Sequence, residues 1–244
     1  MSRSFDGFAA LFYAGVPFTD GPFTYSAWVW LDSTAIRCML GLGENLGNTV
    51  QVRTVSGGSV EFVVMGSGGT RSITTVGQVA QQTWTHILCS STAGGQSMRA
   101  IVNGTLDTNS GSNLTVALTS RYNIAQRNDG GNRWIGYLAE FTLWDAVLSS
   151  GEETALARRG NSFNVRPGNL VSYVPMWRAE DEDYVQGASF SIVTGSPGVA
   201  VHPSIIHQLP RTYFLPAAPA ADERAVKSIF IRSDRAYQIA ALGV

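Results

Sequence analysis

Charge is scarce in this chain: Asp, Glu, Lys and Arg make up 14% of its 244 residues, against about 25% in an average soluble domain. With 17 basic and 18 acidic residues the formal net charge is -1. No broad positive field exists to gather phosphates or anionic lipid, which excludes nucleic acid and a membrane surface as expected partners. Long apolar runs are missing too. Nowhere do about 18 apolar residues follow one another. The opening MSRSFDGFAALFYAG carries Asp6 and has no charged lead into a long apolar core, so neither a spanning helix nor an export signal is expected. Cysteine is limited to Cys38 and Cys89, each in a strand-like stretch. Two cysteines make no disulfide framework, so free buried thiols are expected. The sequons at Asn103 and Asn113 would matter only in a secretory route.

Histidine is as sparse. His86, His202 and His207 have no metal-ligand or triad spacing around them, and His86 is expected to pack within its strand while His202 precedes Pro203 at a strand exit. There is no P-loop, and Gly41-x-Gly43 opens no apolar-periodic helix, so nothing supports a nucleotide site.

What the chain does have is glycine, 26 residues, and aromatics at 10%. In FTYSAWVWL, residues 23 to 31, Phe23, Tyr25, Ala27, Val29 and Leu31 fall on one face and Thr24, Ser26, Trp28 and Trp30 on the other, the alternation of a half-buried strand. Similar runs follow at 49–55, 59–65, 71–76, 84–90 and 98–102, separated by Gly57-Gly58, Gly66 to Gly69 and Gly94-Gly95. Short strands at this spacing predict an all-β sandwich. Asn103-Gly104 suits a type I′ hairpin turn, since both residues tolerate positive φ. One helix is expected from Leu148 to Gly160, with Ser149 and Ser150 able to cap it, Glu152 and Glu153 three residues on, Arg158 and Arg159 in the last turn and Gly160 ending it.

Beyond Pro203 the prolines at 210, 216 and 219 lack donors and favour extended chain, so the segment reads as an arm. The expected division is a sandwich over residues 1–205 and an extended C-terminal arm over 206–244. The arm carries Arg211, Tyr213, Phe214, Phe230, Arg232, Arg235 and Tyr237, residue types that anchor subunit contacts when buried. Ala225 to Ser233 could add a strand to a neighbour's sheet.

Four stretches resemble the laminin-G-like and pentraxin-like branch of the concanavalin-A-like lectin/glucanase superfamily. They are the FTYSAWVWL strand; Trp84-Thr85-His86-Ile87 with the hairpin reaching Val102-Asn103-Gly104; residues 135–141 running into Leu143-Trp144-Asp145 and Leu148-Ser149; and residues 170–176 with Val201-His202-Pro203, similar to phage-borne members. The resemblance covers roughly residues 1 to 205. It implies a jelly-roll sandwich of two antiparallel sheets and a tendency to bind sugars or proteins, and it does not imply catalysis. A glycosidase of this superfamily would need carboxylates about 5 Å apart on one strand. The sole candidate pair, Glu180 and Glu182, sits in a contiguous Glu-Asp-Glu-Asp run that reads as a solvated loop, so no catalytic residue is expected. Many relatives bind calcium, which needs about six to eight oxygens. Asp6, Asp20, Asp129 and Asn132 fall in loops that could supply some, but the family's acidic residue before Glu140 is Ala139 here, and no cofactor or metal is expected.

Trp28 and Trp30 share a strand face and could offer a stacking surface to a glycan or pack beneath a loop or against a subunit. Taken together, these features predict a non-enzymatic structural virion protein, foremost a phage capsid decoration or cement protein in which the arm contacts other virion proteins or copies of itself in a homo-oligomer. A tail or baseplate component and a carbohydrate-binding module for host glycans are the alternatives.

Overall fold

The computed structural model describes residues 2–18, 20–45, 47–176, 182–193, 197–200 and 202–205. The strands run β1 Ser2–Asp6, β2 Leu11–Tyr13, β3 Phe23–Leu31, β4 Arg37–Asn45, β5 Asn48–Thr54, β6 Ser59–Gly66, β7 Gly69–Gln78, β8 Thr85–Ser91, β9 Ser97–Val102, β10 Thr105–Ser110, β11 Tyr122–Ile124 and β12 Ile135–Trp144. The helix α1, Ser150–Ala157, is followed by β13 Leu170–Val174, β14 Glu182–Asp183, β15 Ala188–Ser189, β16 Ser191–Ile192 and β17 Gly198–Ala200.

β14 and β15 form a small two-stranded sheet, and the other strands form two large antiparallel sheets. The larger has the order β10-β9-β8-β3-β12-β1-β17, with β13 also on β12, and the other has the order β16-β2-β11-β4-β5-β6-β7. Between them lies the main core. The predicted inward face of β3 is buried there, Tyr25, Ala27, Val29 and Leu31 at 0% exposure, against Leu40, Leu42, Val52 and Phe62 of the facing sheet. Cys38 and Cys89 are free and buried, and burial pushes the Cys38 thiol up to about 12.

The residues at the start of the chain, which show no strand pattern in the sequence, form β1 and β2. β1 holds its place through backbone pairing, Arg3 opposite Leu138 on one side and opposite Val199 on the other. Asp6 is therefore the last residue of a strand rather than part of a loop. Its carboxylate accepts the Ala9 and Phe8 amides at 3.0 and 2.9 Å, and those two hydrogen bonds hold it below the usual carboxylate range.

A second, smaller core lies on the outer face of the larger sheet, where Leu88, Ile101, Trp144 and Tyr173 meet Leu148, Leu156, Val165 and Leu170. It holds α1 against the sheet. The helix starts as the sequence predicts. Ser149 is the cap, its side chain accepting the Glu152 amide while the Glu152 side chain accepts the Ser149 amide at 2.7 Å, a reciprocal capping box. It ends two residues earlier than expected: Ala157 is the last helical residue, Arg158 caps it and Arg159 has left-handed backbone, φ 65°. The predicted hairpin turn is present, with φ 48° at Asn103 and 85° at Gly104. No helix among the described residues is long and apolar enough to cross a membrane.

Candidate functional site on the outer face of the larger sheet

Strand alternation sends Trp28, Trp30, His86 and Tyr137 to the outer face, with Trp28 opposite His86 and Trp30 opposite Tyr137. The two tryptophans that the sequence sets side by side have different surroundings. Trp28 is 7% exposed, its ring 5.2 Å from the His86 ring, and the Arg159 guanidinium lies 5.7 Å from its centroid. It is a packed residue under a cation. Trp30 is half-buried and gathers two aromatics that the sequence did not single out, Trp84 at 6.0 Å and Tyr137 at 5.8 Å, which are themselves 6.4 Å apart. The ring planes are inclined to one another by 41° to 65°, so the trio is a shallow aromatic corner rather than a flat platform. The Trp30 indole N–H donates to Asp32 at 3.1 Å. Gly136 lets the strands close here. Its φ is 131°, and a Cβ would collide with the Trp30 carbonyl oxygen.

Next to Trp28, α1 and the β9–β10 hairpin enclose a cleft of about 410 Å³. His86 and Ile101 line it, Glu153, Ala157 and Arg158 contribute from the helix side, and Asn103 and Leu106 from the hairpin. Arg99 reaches Glu153 at 2.8 Å. Burial raises the Glu153 carboxyl, and the Arg99 charge opposes that rise. Burial also lowers His86 to about 4, so near neutral pH the imidazole carries no charge. Its Nε2 lies 2.9 Å from the Ser26 hydroxyl. His86 Nδ1, Arg99 Nε and Glu153 Oε1 are buried without a hydrogen-bond partner among the described residues. The sequence signal for this cleft was weak: a polar residue in an outward strand position, and a helix whose apolar side is only two or three residues wide.

The remaining candidates lie elsewhere. Glu182 is exposed on β14, and its neighbour Asp183 is the buried one, accepting amides of Tyr173, Val185 and Gln186 at 3.2, 2.9 and 3.1 Å. That carboxylate closes a turn; Glu180 lies outside the described residues. Asp129 is paired with Arg127, which holds its carboxyl below the usual range, and it also accepts the Gly131 amide at 2.9 Å. Among the described residues no three His, Cys, Asp or Glu side chains gather as a metal would require. His202 follows β17, which ends at Ala200, and its ring lies 3.2 Å from Glu140. Arg211, Tyr213, Phe214, Phe230, Arg232, Arg235 and Tyr237 lie outside the described residues, as does His207.

Known structures share this architecture. A heptameric pentraxin resembling serum amyloid P from Limulus polyphemus superposes with a TM-score of 0.58 at 16% identity, over 82% of this chain and 94% of its own. A candidate carbohydrate-binding protein from Bacteroides ovatus gives 0.55 at 16% identity, over 82% and 61%. The carbohydrate-binding module of a Ruminococcus gnavus sialidase, in complex with α2,3-sialyllactose, gives 0.50 at 13% identity, over 60% and 97%. At these identities the likeness is one of fold. No curated protein shows significant sequence similarity. A laminin G-like family model matches residues 6–152, more than half of the sequence, and with the two-sheet jelly roll in place, the chain belongs to the concanavalin A-like lectin/glucanases superfamily.

Proposed function

We propose that the chain is a non-catalytic carbohydrate-binding protein whose recognition surface is the outer face of the larger sheet. The observation that carries this reading is the half-buried trio of Trp30, Trp84 and Tyr137. Exposed aromatic rings offer large contact area to the C–H face of a sugar at low conformational entropy cost. The sialyllactose bound by the sialidase module, together with the fold shared with the candidate carbohydrate-binding protein from Bacteroides, lends support at the level of the fold. The test is a glycan array with the full chain and with Trp30→Ala and Trp84→Ala. Binding by the wild type that both variants lose is the expected result, and a wild type that retains no glycan overturns it.

A second reading rests on the Pro-spaced sequence after residue 205. Under it, residues 1–205 are the sandwich and 206–244 an arm by which a phage capsid decoration protein, or a tail or baseplate component, engages neighbouring subunits through residues such as Tyr213, Phe214 and Phe230. Deleting residues 208–244 should abolish particle association and leave the sandwich folded; unchanged incorporation excludes this reading.

A further inference from the structure

We propose that Glu140 and His202 form a proton-dependent clasp: a proton on the His202 ring fastens the segment after β17 to β12 and β13, and loss of that proton as pH rises loosens it. The clasp belongs neither to the aromatic trio nor to the cleft beside α1.

The proton count follows from the two nitrogens of one ring. His202 Nδ1 lies 2.6 Å from the Pro203 carbonyl oxygen. A carbonyl oxygen can only accept, so Nδ1 carries a hydrogen. The other nitrogen, Nε2, lies 3.2 Å from Glu140 Oε1. In a neutral ring whose hydrogen is on Nδ1, Nε2 presents a bare lone pair, which a carboxylate oxygen repels. A second proton, on Nε2, makes the ring an imidazolium and turns that repulsion into an ion pair. Charge rather than an aligned hydrogen bond holds the contact, since neither Nε2 nor Oε1 has a hydrogen-bond partner among the described residues. With side-chain exposures of 3% for Glu140 and 11% for His202, the pair is weakly screened.

The other polar and charged groups at this junction have fixed roles. Tyr173 on β13 donates its hydroxyl to the second Glu140 oxygen at 2.9 Å, and burial pushes that hydroxyl well above the ordinary tyrosine range, so it stays a donor. Arg3 on β1 donates to the Pro197 carbonyl at 2.8 Å. Asp183 on β14 accepts the Tyr173, Val185 and Gln186 amides. Of these side chains, the imidazole is the type that changes charge between about pH 5 and 8. The ion pair exists only while the proton is bound, so its hold on the segment is full at lower pH and falls as pH rises.

The backbone beside the pair is strained. Glu140 and Met176 both have left-handed φ, 53° and 59°, and the Glu140 amide donates to the Pro175 carbonyl at 3.3 Å. Residues with a side chain keep such a conformation only where their surroundings impose it. The contacts of Glu140 with Tyr173 and His202 supply that constraint, so strain favours opening once the proton leaves.

Hydrogen exchange of the full chain between about pH 5.5 and 8.5, read by mass spectrometry on peptides carrying 197–200 and 202–205 and corrected for the intrinsic pH dependence of exchange, tests the clasp. The open fraction there should rise about tenfold from about pH 6 to about pH 8, the size of one lost charge-assisted contact, while β8 and β9 keep their protection. His202→Gln can still donate to Glu140 but cannot titrate, and Glu140→Gln can still accept from Tyr173; each should flatten the slope. His86→Gln should leave it in place. Nitrogen NMR of the ring adds a readout that packing alone would not move: at about pH 8, where the closed form still predominates, the single ring hydrogen should sit on Nδ1. A wild-type open fraction that changes less than about twofold over this range overturns the proposal. So does a slope that persists in His202→Gln, or a neutral ring with its hydrogen on Nε2.

Discussion

The Glu140 carboxylate and the His202 ring lie 3.2 Å apart, both largely shielded from solvent. Glu140 occupies a bulge with φ 53°, at the point where one edge of β12 passes from pairing with β1 to pairing with β13. Its second oxygen accepts the Tyr173 hydroxyl at 2.9 Å. One carboxylate thus joins β12, β13 and the segment that follows β17. Glu140→Ala is expected to destabilise the fold by about 3 kcal/mol or more, since it strands buried polar partners. Glu140→Gln should cost less because it still accepts from Tyr173. Urea unfolding followed by tryptophan fluorescence measures both; equal midpoints for wild type and Glu140→Ala would contradict this account.

Trp28→Ala and Trp30→Ala should part company. Trp28 is packed between His86 and Arg159, and its truncation should cost about 3–5 kcal/mol, the range for a buried aromatic. Trp30 is half-buried, and its loss should cost much less while removing glycan binding. Thermal melts run beside the glycan array check the contrast.

Stability should respond to pH through His86. Its folded pKa, near 4 because of burial, lies below the unfolded value of about 6.5. The unfolded chain therefore binds more protons between those values, so the stability present above pH 6.5 is lost progressively as pH falls toward 4. His86→Gln should flatten that slope. Urea midpoints at half-unit pH steps provide the measurement, and an identical slope in the variant would contradict the assignment.

Ser149→Ala removes half of the capping box on α1 and should cost about 1 kcal/mol. Helix unwinding should show as faster amide exchange at Glu152 and Glu153, with the sheets unchanged.

Gly136→Ala should be poorly tolerated, because it adds a Cβ at φ 131° directly against the Trp30 carbonyl. A loss of about 1–3 kcal/mol is expected from the backbone strain alone, and the aromatic corner should open with it. A folded variant of wild-type stability, with Trp30 and Tyr137 unmoved in a crystal structure, is the contrary result.

The sequence made the sandwich legible because burial on one side imprints a period of two: β3 spans the same residues, 23 to 31, that alternate in the sequence. The capping box was legible for a similar reason, since it depends on residues three apart. β1 and β2 were hidden because short strands held by backbone pairing need no alternating pattern. The end of α1 was misplaced because Arg159, rather than a glycine, takes the left-handed position. At the candidate site, the alternation shows that Trp28 and Trp30 share a face, but what covers each comes from distant residues, Arg159 for one and Trp84 with Tyr137 for the other. The convergence of His86, Arg99 and Glu153 spans three elements and leaves no local spacing to read.

The pairing of β1 with β17 sets Ser2 directly opposite Ala200. The sandwich is thus a loop closed on itself, entered and left at one corner. A few residues would bridge that gap, so a circular permutant opened at the exposed Asn103-Gly104 turn should keep its fold. The same closure makes the module portable: it could be spliced into a loop of an unrelated host protein, hanging from a single point of attachment.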